Sequence, residues 1–401
     1  MWGAEVRRAG LFTVFSVLLA ACNPDTGPDP TTRDVAPGGP AGICTAEPAF
    51  EAAPLNACAG PTARLAIVGD VLLHVQLAEL GYRIGFDNVW HQPAKYLRAA
   101  DIAIANLEGP VAPGVTANGA RVADPGPVVD GRVYTGYPRF NYHPAVLRDL
   151  KAAGVDLVTT ANNHALDRGS VGVDLTLGEV AKSGLTAVGS VPRGGPGQFV
   201  QRRGSAAGTL SFIACTFSTN GHPDPHGQVL HCYRQRDKLL SLVRREASDP
   251  GVAGVIVLPH WGQEGQTRAA TKERALARDL AAAGATAIVG THPHAVQPFE
   301  AIPGQGGATA LVAYSTGNFV AVMGVDPSRY EAMALVDVCR GSSGRAVVHR
   351  AGWIAMEMKL TSRGYWVDIA PRGAEGDAGK AAAFVRQISP GFSAQPAACT
   401  P

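Results

Sequence analysis

Short apolar runs recur along this chain, six of the seven ending in polar, ligand-like side chains, and they constrain its fold more than any other feature. The runs are "RLAIVGD", "DIAIANLE", "DLVTTANNH", "TLSFIACTF", "GVIVLPHWG", "ATAIVGTHPH" and "ALVAYSTGN". Between them lie helical patterns: "HPAVLRDLKAAG", "GVDLTLGEVAKSG", "QRDKLLSLVRREA" and "TKERALARDLAAAG". Several of these stop at Gly154, Gly184 or Gly284, where glycine can take the left-handed cap conformation. Strand–helix alternation of this kind predicts an α/β fold with a largely buried sheet. After about Glu331 the pattern changes. "EAMALVDVC", "RAVVHRAGWIAMEMKL" and "YWVDIAP" read as consecutive strands, hence late antiparallel pairing, and a short helix, "GDAGKAAAFVRQI", follows.

The N-terminus reads differently. "MWGAEVRRAGLFTVFSVLLAAC" has two arginines, an apolar run from Ala9 to Ala21, and then Cys22. The run is short for a bilayer span and suits a secretory signal. "LLAAC" is similar to a bacterial lipobox, which makes Cys22 the expected lipidation site and the membrane a partner through that lipid. "NPDTGPDPTTRDVAPGGPAG" cannot bury a core and reads as a flexible tether. Besides Cys22 there are six cysteines, Cys44, Cys58, Cys215, Cys232, Cys339 and Cys399. In an exported chain an even number implies disulfides. Nearest-neighbour pairing would join Cys44 to Cys58, Cys215 to Cys232 and Cys339 to Cys399. A net charge of +2 gives no electrostatic footprint for nucleic acid, so no nucleic-acid partner is expected.

The polar groups at the ends of the runs form the candidate site. Asp70 ends "AIVGD"; Asn106 and Glu108 follow "AIA"; Asn162, Asn163 and His164 follow "LVTTA"; His260 ends "VIVLP"; His292 and His294 follow "AIVGT"; Asn318 follows "VAYSTG". In open α/β sheets ligands bind beyond the carboxyl ends of the strands, so these groups can meet at one sheet edge. Carboxylates, an amide oxygen and imidazoles together suit a divalent transition metal better than calcium. One or two such ions, manganese, zinc or iron, could polarise a phosphoryl or carbonyl oxygen. Each residue alone has a duller reading as an N-cap, turn or core residue, and His74 reads as structural. No G-x-S-x-G, H-E-x-x-H or P-loop motif occurs, which removes the simplest serine-hydrolase, zincin and nucleotide-loop readings.

"VGDVLL", "ANLEGPV", "TTANNHALDRG", "LPHWGQE", "VGTHPHAVQPFE" and "YSTGNFV" stand in the order found in CapA-type poly-γ-glutamate (capsule) biosynthesis proteins. The chain resembles that family from about Arg64 to Val320, and the family in turn resembles the calcineurin-like metallophosphoesterases. The resemblance implies a four-layer α/β/β/α sandwich with a metal site at the strand ends. It implies metal ligands at Asp70, Glu108 (in the bridging position), Asn163, His260, His292 and His294. It also implies His164 as general acid, oriented by Asp167, and an anionic polymer such as poly-γ-glutamate as partner, with a separate synthetase in the envelope. Three positions depart from the pattern: Leu72 where a histidine is usual, glutamate rather than aspartate at 108, and Thr291 where a histidine is frequent.

The expected organisation is a lipoprotein signal peptide over 1–21, a Pro/Gly-rich tether over 22–60, a CapA-type metallophosphoesterase-like domain over 61–371, and a C-terminal helix and tail over 372–401. A cell-envelope, lipid-anchored location follows. Two functions are open at this stage: a metal-dependent hydrolase, or a non-catalytic polymer-binding component that keeps an inherited site. Arg168, Arg268 and Lys272 are the basic residues expected near the mouth of the site.

Overall fold

A computed structural model describes residues 47–396, apart from 324, 325 and 363. The signal segment, Cys22, Cys44 and Cys399 lie outside the described residues. In chain order the elements are β1 (Thr62–Leu72), α1 (Val75–Ile84), α2 (Asp87–Ala99), β2 (Ile102–Leu107), α3 (Ala145–Ala152), β3 (Leu157–Thr159) and α4 (Gly169–Lys182). Next come β4 (Thr186–Val188), β5 (Val200–Arg203), β6 (Leu210–Thr216), α5 (Arg236–Ser248), β7 (Gly254–His260), α6 (Thr271–Ala282), β8 (Ala287–Val289) and β9 (Phe299–Pro303). The chain ends with β10 (Thr309–Ala313), β11 (Asn318–Ala321), β12 (Tyr330–Arg340), β13 (Ala346–Thr361), β14 (Gly364–Ile369) and α7 (Gly376–Ile388).

The strands form two sheets. The first runs β14-β13-β12-β1-β2-β3-β4, with β11 added to the end of β1; the second runs β5-β6-β7-β8-β10-β9. Successive side chains on a strand face opposite ways, and β1 shows the result. Leu65 and Ile67 enter a core shared between the sheets with Ile104, Phe212, Ile256 and Trp353. Ala66 and Val68 face the other way, towards Leu77, Trp90, Leu97 and Leu150 of the first helical layer. On the far side, Ile213, Val257 and Ile288 of the second sheet pack on Leu240, Leu276 and Leu280 of α5 and α6. The layers are therefore α/β/β/α, as the resemblance implied.

The antiparallel strands expected late in the chain join the first sheet: β12 pairs with β1 and β13 with β12, both antiparallel. Two helices, α1 and α2, were not read from the sequence. Pro93 hides α2, because a proline inside a helix removes a donor and clashes with the turn before it. Here Trp90 breaks the helix at φ −123° and ψ 24°, so Pro93 falls in the first turn of a fresh segment, where proline is tolerated.

Two boundaries and one cysteine pairing need correction. Residues 47–59, assigned to the tether, are fastened to the domain: Glu51 N donates to Ser393 O at 2.8 Å, Leu55 N to His349 O at 2.8 Å and Ala59 N to Arg340 O at 2.7 Å. The helix assigned to a separate tail, α7, sends Ala381 and Val385 into the inter-sheet core. Cys215 pairs with Cys232 as expected, but Cys58 pairs with Cys339. The register explains it: Thr62 stands opposite Cys339 in the β1–β12 ladder, which brings the lead-in to β1 alongside.

Candidate metal centre

Both sheets deliver side chains to one place. Asp70 near the end of β1 stands beside Asn318 of β11 and Asn106 of β2, at a bulge in the ladder. The approach is close enough that a Cβ on Gly69 would lie 1.9 Å from Gly317 O, so only glycine allows β1 and the loop before β11 to meet there. From the second sheet, His260 ends β7 and forms a bridge with Thr291, which leads into His292 and His294.

Asp70, Glu108, Asn163, His164, His260, His292 and His294 are all buried. Asn106 Nδ2 donates to Asp70 Oδ1 at 2.7 Å, and His292 N donates to Asp70 Oδ2 at 3.2 Å. His294 Nδ1 lies 2.9 Å from Asn318 Oδ1 and 3.1 Å from Asp70 Oδ2. Both neighbours are acceptors, so Nδ1 carries the proton and Nε2 is turned towards Glu108 Oε1, 3.8 Å away. His260 Nε2 lies 3.6 Å from the same Glu108 oxygen and 2.8 Å from Asn163 Oδ1. Thr291 Oγ1 holds the other nitrogen of His260 at 2.9 Å. Glu108 Oε1 thus sits between two imidazoles, and neither of its carboxylate oxygens has a hydrogen-bond partner among the described residues. His292 Nδ1 is likewise unpartnered.

At this site three triads have ligand atoms within 4.8 Å of one another: Asp70, Glu108 and His294; Glu108, His260 and His292; and Glu264, His292 and His294. Glu108 belongs to the first two. Glu264 is exposed and was not singled out from the sequence, although "LPHWGQE" contains it. Its signal was its place four residues after His260. The "THPH" loop carries strain, for His292 has φ 101° and His294 φ 51°. Non-glycine residues rarely hold such angles without a compensating role.

The electrostatics follow from crowding and burial. Burial opposes ionisation of Asp70, but the His294 hydrogen bond and the charges of His260 and His294 hold its carboxyl at about 2. Burial and then the Asp70 charge push Glu108 up to about 8. Burial holds His260 down at about 3 and His292 at about 2, so both are neutral donors at ordinary pH. Burial works against the protonated form of His294, yet the Glu108 charge and the Asp70 hydrogen bond raise it to about 10.

His164 stands apart from the triads. Its Nδ1 lies 2.8 Å from Asp167 Oδ2, which also accepts from Phe140 N at 2.7 Å, and the Phe140 ring packs edge-on at 4.7 Å. Burial lowers the pKa of His164, but the Asp167 hydrogen bond and charge outweigh it and the net shift is upward. Replacing Asp167 by asparagine removes the two largest raising influences and leaves burial, the largest of all, opposed only by the smaller effect of Glu108. The imidazole of the Asp167→Asn variant is expected to titrate below its ordinary value near 6.5, whereas in the native chain it titrates above. NMR titration of the His164 ring reads this directly, and an unchanged midpoint would remove Asp167 from the role.

Other sequence expectations resolve differently. Leu72 packs in the core between the first sheet and its helices and supplies no ligand. His74 accepts from Val322 N at 3.3 Å and packs edge-on against Phe140, a structural role. Arg168 lines the cleft beside His164 and Asp167 as a buried cross-link: it is 2% exposed and donates to Val115 O, Val133 O and Thr135 Oγ1, fastening two loops. Lys272 lies 3.6 Å from Glu273 and over the Tyr233 ring, while Arg268 is exposed.

Residues 64–323 match the family described as bacterial capsule synthesis protein PGA_cap, and the chain belongs to that family. It is 27% identical over 285 residues to the PGA biosynthesis protein CapA of Bacillus subtilis, covering 69% of this chain and 68% of that one. It is 28% identical over 298 residues to the capsule biosynthesis protein CapA of Bacillus anthracis, covering 71% of this chain and 65% of that relative. A solved structure of a hypothetical protein from Thermus thermophilus is 19% identical with a TM-score of 0.43, covering 73% of this chain and 99% of its own.

Proposed function

We propose that this chain is an envelope-tethered component of capsule or poly-γ-glutamate biosynthesis whose strand-end cluster holds one or two divalent cations for hydrolysis. Glu108 carries this reading. A buried carboxyl between two imidazole Nε2 atoms, with neither oxygen hydrogen-bonded among the described residues, costs stability unless a ligand completes it. Asp70, Glu108, Asn163, His260, His292 and His294 would hold the cations, with Glu264 closing the outer side. Manganese, zinc or iron suits this mixture of oxygen and imidazole donors. When bound, such an ion polarises a phosphoryl or carbonyl oxygen and lowers the pKa of water.

The chain's own residues do the rest. Asp167 fixes the ring of His164 and favours its protonated form, and Phe140 packs against its edge. His164 Nε2 then offers a proton to a leaving oxygen or nitrogen. The relatives' names, PGA biosynthesis and capsule biosynthesis, support an anionic polymer as substrate and the envelope as location. Among the described residues no helix is long and apolar enough to cross a membrane. The lipid on Cys22 is proposed as the anchor, with a synthetase in the envelope as the partner enzyme.

A second reading keeps the polymer and drops the hydrolysis. Leu72, turned into the core where a ligand histidine is usual, favours it. Turnover separates the two. Purified protein with each metal should cleave a γ-linked glutamate oligomer or a phosphoester, and His164→Ala should slow this by about 100-fold or more, the usual worth of a general acid. Turnover unchanged in His164→Ala would remove that role, and the absence of cleavage with every metal and substrate would leave the binding reading.

A further inference from the structure

Beside the His164–Asp167 pair opens a cleft of about 300 Å³, lined in part by Ala117, Arg139, Leu166, Asp167 and His222. Its two ends differ in character. Arg139 is exposed, donates only to Ala117 O at 3.2 Å, and has no carboxylate partner among the described residues. Its backbone is well held: Arg139 O accepts from Thr135 Oγ1, and Phe140 N is fixed by Asp167. On the inner wall Asp167 is 2% exposed. Its Oδ2 is committed to His164 and Phe140, but its Oδ1 has no hydrogen-bond partner. The ring nitrogen Nε2 of His222 is 3.7 Å from Asp167 Oδ1, beyond hydrogen-bond range. A buried carboxylate oxygen without a donor is uncommon and costly.

We infer that this cleft is a subsite for one carboxylate-bearing, amide-linked unit of an anionic chain, with Arg139 taking the carboxylate and Asp167 Oδ1 accepting the adjoining amide N–H. A γ-linked glutamyl unit has both groups on one carbon. Its carboxylate meets the guanidinium fork in the geometry that favours paired charge-assisted bonds. Its N–H meets the oxygen that nothing in the chain satisfies. A phosphate group has acceptors only and would face the Asp167 oxygen as a like charge. Because Asp167 also orients His164, a unit held here places the neighbouring linkage next to the proton donor. The inference rests on the polymer reading above and adds the chain's means of recognising that polymer.

The test is binding of a labelled γ-linked glutamate oligomer to the full chain, read by fluorescence anisotropy with metal content checked in parallel. Arg139→Glu is expected to weaken binding by about tenfold or more, and Arg139→Lys by less, with melting and metal content unchanged. Arg244→Glu, an identical change of charge on the outer helix α5, is expected to stay within about twofold, since an exposed distant charge is screened. Inorganic tripolyphosphate should compete poorly. Equal losses in the Arg139 and Arg244 variants would overturn the subsite and leave the polymer reading standing. Tripolyphosphate competing as well as the oligomer would overturn the carboxylate-and-amide match. Failure of the native chain to bind the oligomer would overturn both.

Discussion

Elemental analysis of the native chain is expected to find one or two equivalents of manganese, zinc or iron, and the His292→Ala/His294→Ala variant close to none. Each of the three buried-site triads includes at least one of these two histidines, so the double change leaves no triad intact. Stability should follow occupancy. A ligand that binds only the folded state at about 100 times its Kd adds about 2.7 kcal/mol, so added metal should raise the melting temperature of the native chain and not of the variant. A metal-free native chain after incubation with each ion would end the proposal.

Glu108 extends that prediction to the metal-free protein and fixes its sign. Its carboxyl is raised from an ordinary value of 4.5 to about 8 by burial and the Asp70 charge. The folded state therefore holds this proton more tightly than the unfolded state does. Its contribution to stability is intact below about 4.5 and is lost as pH rises towards 8. With metal removed by a chelator, Glu108→Gln should abolish that loss and make the protein more stable than the native chain at pH 8, while weakening metal binding. Urea denaturation at pH 5 and pH 8 checks it, and a less stable glutamine variant at pH 8 would contradict the crowding account.

The second large effect is expected at the Cys58–Cys339 disulfide. It closes a separation of 281 residues, against 17 for Cys215–Cys232. Loop-closure entropy grows slowly with length and gives about 5.6 kcal/mol for the long loop and about 3 kcal/mol for the short one. Cys58→Ala/Cys339→Ala should therefore lower the free energy of unfolding more than Cys215→Ala/Cys232→Ala. Paired urea unfolding curves compare them. The reverse order would show that the buried packing of Cys215 and Cys232 outweighs chain entropy.

What could be read from the chain and what could not divide along sequence distance. Asp70, Glu108, Asn163, His260, His292 and His294 each follow an apolar run, and strand ends in such folds converge, so local pattern was enough to bring them together. Glu264 lies four residues past His260 in the loop after its run, and only the fold turns it towards His292 and His294. Arg168 showed its charge in the sequence but not its burial, which comes from carbonyls of the loops containing Val115 and Val133. The partner of Cys58 depends on β12 lying against β1, a pairing that no local spacing encodes. Helix α2 was hidden because its proline reads as a breaker until the kink at Trp90 is known.

The position of β1 has a consequence for how the molecule is made. The strand that delivers Asp70 is the first of the domain, yet one of its flanks is completed by β12 and β11, from Tyr330–Arg340 and Asn318–Ala321. Until those residues are in place, the flank of β1 lacks its ladder and Asp70 lacks Asn318. Contacts of such sequence separation close late and slowly. The folding chain therefore holds the first half of its site without being able to lock it until β11 and β12 pair with β1.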